Sequence, residues 1–207
     1  MKTKLFIDFD GTLFDTRCFK KGIFNAFISA GFSEKQVNAA YKIACKDYLY
    51  SPVEHLEELQ EIKKFESQTV LSEVEELYKG VPGFLFRDTL EFLQRLDRDK
   101  YEVILLTLGD KEFQKRKVES SGISEYFDKV YYCTEQKWIF LKSVVEIDEK
   151  FYIIDDRGDA LFKISKAFKN CVPIEINYSD IQIDIMEQPS NYDGFKIKNI
   201  KEAVQYL

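Results

Sequence analysis

Residues 4–15 read KLFIDFDGTLFD, and the reading of the fold turns on how that string is punctuated. Leu5, Phe6 and Ile7 form a short apolar run of the kind found in a strand covered on both faces. Asp8 and Asp10 follow at its end, and Gly11 supplies a turn. Asp8 interrupts the run Leu5–Phe9, so the segment is not expected to be the apolar core of a secretory leader.

Downstream of this strand the texture is helical to about Lys79. Ser33 opens a capping box with Gln36, and Ser51 opens a second helix start with Pro52 and Glu54 behind it. Val53, Leu56, Leu59 and Gln60 keep a near-3.6 period, and Val81-Pro82-Gly83 closes the block. From there strands and helices alternate. Phe84–Leu96 is expected to be helical, and Glu102–Leu108 (EVILLTL) is a buried strand. Asp110 caps a helix ending before Gly122. Val130–Cys133 and Phe151–Ile154 are strands, each followed by a helix, from Thr134 to Glu146 and from Asp159 to Lys169. Val172–Ile176 and Phe195–Ile197 are extended, and a last helix starts at Asn199. Such alternation means an α/β fold with a parallel sheet. The helical block, residues 16–81, then reads as an insertion in a core made of 1–15 and 82–207.

The bulk properties remove several functions. The chain has 207 residues, 45% of them hydrophobic, which is too apolar for disorder. No apolar run reaches the roughly 18 residues of a membrane span. The net charge of −6 argues against general nucleic-acid binding, but not against one small anionic ligand. Cys18, Cys45, Cys133 and Cys171 form no C-x-x-C pair, and with His55 as the single histidine no zinc cluster is expected. The thiols are expected to be reduced and mostly buried, in a cytoplasmic protein. His55, opening a helix, is expected at the surface.

Ligands of open parallel sheets bind beyond the carboxyl ends of the strands. The first strand delivers Asp8 and Asp10 there, the second Thr107. The helix start after the third brings Lys137, and the fourth ends in Asp155 and Asp156, with Asp159 close by. Clustered carboxylates call for a cation, and an oxygen-only set suits Mg²⁺ with a phosphate oxygen. One carboxylate can attack phosphorus while its neighbour exchanges protons with the leaving oxygen. A hydroxyl and an ammonium steady the charge on the phosphoryl oxygens.

DFDGTLFD, the ILLTLGDKEFQKRKVESSGI region, Lys137 and IIDDRGD together resemble, in order and spacing, the four motifs of the haloacid dehalogenase (HAD) superfamily. The resemblance implies a HAD-like Rossmannoid core with an inserted C1-type helical cap. By position it implies that Asp8 is the nucleophile forming an aspartyl-phosphate and Asp10 the general acid/base, its backbone carbonyl also reaching the metal. Thr107 would bind phosphate and Lys137 would hold nucleophile and phosphate together. Asp156 would ligate Mg²⁺, with Asp155 orienting Lys137 or a metal-bound water. Phosphotransfer members carry an Asp two residues after the nucleophile; the dehalogenases do not. Leu108 departs from the Asn frequent after the Thr, and Trp138 from the Pro after the Lys. Lys129 precedes its strand and so falls at the wrong end of the sheet.

Gly11 and Arg17 are further candidates for substrate contact, and Lys20 and Lys21 lie on the same approach. As a charge run these cations read more readily as a solvated face. Asp15 reads as a cap, and the Phe and Tyr residues of 14–50 as core of the insertion. The expected activity is Mg²⁺-dependent hydrolysis of a small phosphorylated metabolite, with neither nucleic acid nor membrane as partner. The rivals are a phosphomutase or phosphotransferase of the same superfamily, and a catalytically silent binding or regulatory module. A receiver-type domain also uses Asp, Thr and Lys, but the helical insertion after DFDGT does not suit it.

Overall fold

The computed structural model describes residues 2–46, 49–178 and 192–207 and puts β1 (Thr3–Ile7) in the interior of a six-stranded sheet. Leu5, Phe6 and Ile7 are wholly inaccessible, as a strand paired on both edges and covered on both faces must be. The chain then runs through α1 (Thr16–Ser29), α2 (Glu34–Ala44), a small hairpin of β2 (Cys45–Lys46) and β3 (Leu49–Tyr50), α3 (Pro52–Ile62) and α4 (Ser67–Lys79). It returns through α5 (Thr89–Arg95), β4 (Tyr101–Leu108), α6 (Lys111–Ser121), β5 (Lys129–Cys133), α7 (Lys137–Val144), β6 (Phe151–Asp155), α8 (Gly158–Ala167), β7 (Cys171–Ile176) and β8 (Phe195–Ile197). The strand order is β5-β4-β1-β6-β7-β8, every pair parallel.

The two faces of the sheet are filled by alternate residues of each strand, as the period of two requires. Leu5, Ile7, Val103, Leu105 and Ile154 face one side, where they join a cluster that continues into α1–α4 through Phe19, Phe27, Leu59 and Val74. Phe6, Ile104, Leu106 and Ile153 face the other and pack on Leu141 of α7 and Leu161 and Ile164 of α8. The caps fall where the sequence put them: Ser33 and Gln36 form the box, Ser51 accepts from Glu54 N–H, and Asp110 accepts from Phe113 N–H. Asp15 caps α1 by accepting from Cys18 N–H at 3.1 Å.

Several expectations need correcting. Residues 84–96 are not one helix. Val81–Phe84 is a 3₁₀ turn, Asp15 N–H donates to the Phe84 carbonyl and Phe86 N–H to the Leu13 carbonyl, so Leu85 and Phe86 run alongside the first loop, and only Thr89–Arg95 is α-helical. The last helix is a 3₁₀ turn, Ile200–Gln205. His55 is buried rather than at the surface, enclosed by Phe24, Phe27, Tyr41 and Tyr50. Of the four free cysteines only Cys133 is buried; Cys45 and Cys171 are half-buried and Cys18 is exposed. Among the described residues no helix is long and apolar enough to cross a membrane.

Candidate active site

Register fixes the site. Ile7 of β1 is level with Leu105 of β4 and Ile154 of β6, so the residues that follow, Asp8 and Asp155, emerge side by side. Asp8 N–H still donates to the Ile154 carbonyl at 2.9 Å. The chain then folds back tightly: Leu13 and Phe14 N–H donate to the Phe9 carbonyl, Gly11 N–H donates to the Phe14 carbonyl, and the Phe9 and Phe14 rings stack at 4.8 Å. Gly11 has φ +77°, and a Cβ there would collide with the Asp156 carboxylate. This is a position where only glycine lets the loop approach its neighbour.

Lys137, first residue of α7, is buried and binds both acids, with Nζ 2.5 Å from Asp8 Oδ1 and 2.5 Å from Asp155 Oδ2. The other oxygen of Asp155 accepts from Arg157 N–H at 2.8 Å. One carboxylate oxygen from each of Asp8, Asp155 and Asp156 lies within 4.8 Å of the other two. Burial pushes the Asp8 carboxyl up to about 7, against the Lys137 ammonium and with Asp155 and Asp10 adding to the rise. Burial, then Asp8 and Asp155, likewise lift Asp156 well above the carboxylate range. Three carboxylates set against one ammonium, all oxygen donors, fit a hard divalent cation that would keep them ionised.

Asp10 stands outside that cluster. Its Oδ1 accepts from Thr16 Oγ1 and from the Lys117 ammonium, and its Oδ2 accepts from Gln114 Nε2 at 2.6 Å. Burial alone would raise its pKa, but Lys117, Thr16 and Gln114 together hold it below the ordinary carboxylate value, favouring the ionised form. Thr107 is wholly buried in β4 and is not among the cavity-lining residues; its hydroxyl has no hydrogen-bond partner. An enclosed hydroxyl without a partner is a group that a phosphoryl oxygen could satisfy.

Above these groups lies a cavity of about 390 Å³. Its floor is Asp8, Asp10 and Asp156; Phe19, Tyr41, Tyr50 and Phe113 give it an aromatic wall. Arg17 lines it beside Asp15, with Nε 3.6 Å from Asp15 Oδ1, and Lys20 lines it with Nζ over the Tyr41 ring. Lys21 is exposed and outside the lining. Asp159 is engaged by Arg157, at 3.0 and 2.7 Å, and does not join the acidic cluster. Lys129 pairs with Glu102 at the far end of its strand. The aromatic residues of the insertion divide between core and cavity wall; Tyr48 lies outside the described residues.

Lys117 and Gln114 join the site without a motif to announce them. A signal was present: with Asp110 as cap, positions 114, 117, 118 and 121 form the inward stripe of α6, and Gln and Lys are out of place there.

Residues 5–149 match the family described as haloacid dehalogenase-like hydrolase. Among solved structures, a putative haloacid dehalogenase-like hydrolase from Burkholderia xenovorans is similar over 99% of this chain and 96% of its own, at 16% identity and a TM-score of 0.76. The putative HAD hydrolase YfnB from Bacillus subtilis, solved bound to magnesium, is similar over 100% of this chain and 98% of its own, at 13% identity and a TM-score of 0.64. The L-2-haloacid dehalogenase of Xanthobacter autotrophicus is similar over the whole of both chains, at 14% identity and 0.63. No curated protein matches the chain.

Proposed function

The chain belongs to the haloacid dehalogenase-like hydrolases, and on that premise we propose that it removes phosphate from a small phosphomonoester in a Mg²⁺-dependent reaction. The observation that carries this reading is the pairing of a nucleophile cluster, Asp8 with Lys137, Asp155 and Asp156, with a separate carboxylate, Asp10, at the same cavity. A displacement at a carbon–halogen bond expels a halide, which leaves without a proton. Phosphate-ester cleavage expels an alkoxide, which needs one, and Asp10 is the carboxyl placed to supply it once it has taken up a proton, since Lys117, Thr16 and Gln114 favour its ionised form before phosphate binds. The cluster also exceeds what a halide displacement requires, whereas a phosphoryl dianion must be neutralised before a carboxylate can approach it.

Asp8 attacks phosphorus in line, its oxygen forming the new O–P bond as the ester oxygen departs with the proton of Asp10. Water then attacks the phosphorus of the aspartyl-phosphate and gives its proton back to Asp10, which frees Asp8 and releases phosphate. Lys137 holds Asp8 in place and offers its charge to the phosphoryl oxygens, and the Thr107 hydroxyl donates to one of them. Asp8, Asp156 and the Asp10 backbone carbonyl would hold Mg²⁺, which when bound withdraws charge from the phosphoryl group. Residues 16–81, read as a cap, supply Phe19, Tyr41 and Tyr50 of the aromatic wall, which excludes water during the first step.

A panel of phosphate esters assayed with Mg²⁺ and with EDTA tests the reading. Phosphate release is expected with Mg²⁺ alone, and Asp8→Asn is expected to abolish it while leaving the circular-dichroism spectrum unchanged. Near-full activity of Asp8→Asn defeats the mechanism. Isomerisation of a sugar phosphate without phosphate release assigns the chain to the mutases instead.

A further inference from the structure

Lys117 is a buried ammonium on the inward stripe of α6. It is 1% exposed, and its ammonium lies 4.8 Å from the centroid of the Phe113 ring and 5.5 Å from those of Phe9 and Phe14. A leucine or methionine would fill that space without burying a charge. Among the described residues its one ion-pair partner is Asp10. One turn earlier on the same helix face, Gln114 donates from Nε2 to Asp10 Oδ2 at 2.6 Å and to the Leu108 carbonyl at 2.9 Å. Two acceptors around one nitrogen fix which way the amide points, and Gln114 Oε1 is left buried without a partner. Both side chains therefore accept an unfavourable arrangement whose common beneficiary is one carboxylate. Stability of the fold does not call for this, since a hydrophobic stripe on α6 would serve it better.

We propose that Lys117 and Gln114 are positioning residues for Asp10, fixing its carboxylate at the cavity edge where it meets the leaving-group oxygen. The proposal rests on the phosphatase reading and adds two residues to it. Each holds a different oxygen, Lys117 with Thr16 on Oδ1 and Gln114 on Oδ2, so the carboxylate can neither swing about its side-chain bonds nor rotate its plane. A proton donor is effective only within hydrogen-bond reach of its acceptor. The role is one of geometry, exercised through Asp10.

The experiment compares two esters of similar size. 4-Nitrophenyl phosphate releases a phenolate that leaves unaided; benzyl phosphate releases an alcohol that must be protonated. kcat/KM is measured for both with Mg²⁺, because it ends at expulsion of the alcohol and leaves out the later hydrolysis, which also uses Asp10. For Lys117→Met, kcat/KM on benzyl phosphate is expected to fall about 100-fold, the scale of general acid catalysis, and on the nitrophenyl ester less than about 5-fold. Gln114→Met is expected to show the same selectivity with smaller losses, and carries the test should Lys117→Met fail to fold. Equal losses on the two esters, or none, overturn the proposal in favour of a merely structural lysine. A wild-type protein that hydrolyses neither ester overturns the phosphatase reading, and the proposal with it.

Discussion

At the scale of single residues the site is paid for in stability, and Thr107 shows how to measure it. Its hydroxyl is enclosed and unpartnered, an arrangement that costs on the order of 1–3 kcal/mol. Valine has the same shape without the polar atom, so Thr107→Val is expected to leave the thermal midpoint unchanged or raised. If the hydroxyl serves a phosphoryl oxygen, kcat/KM on a phosphate ester falls about 100-fold in the same protein, and Thr107→Ser retains most of it. A Thr107→Val protein that is stable and fully active removes Thr107 from the site. That Thr107, Asp8, Asp10, Asp155 and Asp156 gather at one edge, with Lys137 beside them, was legible in the sequence because a parallel sheet sends every strand's C-terminal residues there. Lys117 and Gln114 were not, because a lysine and a glutamine on a charged helix pass for solvent-facing residues until the inward stripe is drawn from the cap.

At the scale of elements, strands and capped helices were readable because pleat and 3.6 period write themselves into apolar spacing. The β2–β3 hairpin was not, since two-residue strands carry no period. Nor was the course of Leu85 and Phe86, which is held by pairing with residues 13–15 far away in sequence. His55 was misplaced for a related reason, as its surroundings come from three other elements. From α3 its Nε2–H donates to the Val37 carbonyl of α2 at 2.9 Å, which leaves Nδ1 to accept from the Tyr50 hydroxyl of β3 at 3.0 Å. Burial pulls its pKa from 6.5 down to about 4. Folding therefore favours the neutral ring, and between those values the unfolded chain binds more protons than the folded one. The neutral ring's contribution is intact above the unfolded value and declines as pH drops through the window, levelling off below about 4. From pH 7 to pH 5 the loss amounts to about 2 kcal/mol. Urea unfolding of the wild type and of His55→Gln at the two pH values isolates it: the variant, lower at pH 7, is expected to lack this increment of pH dependence. An equal pH slope in both proteins means that the folded ring titrates as an ordinary surface histidine.

On the scale of the whole molecule the question is whether residues 16–81, read from sequence as a separate cap, behave as one. The apolar packing argues for coupling. A single cluster runs from Leu5, Ile7 and Leu105 of the sheet into Phe19, Phe27, Phe32, Leu59 and Val74 of α1–α4. Phe14 sits at the junction, wholly buried, stacked on Phe9 at 4.8 Å and meeting Phe19 of α1 at 5.5 Å and Phe84 at 6.0 Å. α6 ties the same two parts from its outer side, as Arg116 pairs with Glu75 of α4 and lies over the Tyr78 ring. That exposed pair adds little energy, so the aromatic junction is what makes the parts unfold together. Scanning calorimetry is expected to give one transition with equal calorimetric and van't Hoff enthalpies. Phe14→Ala, which opens a cavity at the junction, is expected to destabilise by about 3–5 kcal/mol and to lower the midpoint on the order of 10 °C. Because the lost contacts belong to both parts, the transition should move as one. A second transition in the wild type, or a Phe14→Ala protein in which half the heat stays at the original temperature, would show that the helical segment holds a core of its own. Closure over the phosphate would then be the motion of an independent domain rather than a rearrangement within a shared core.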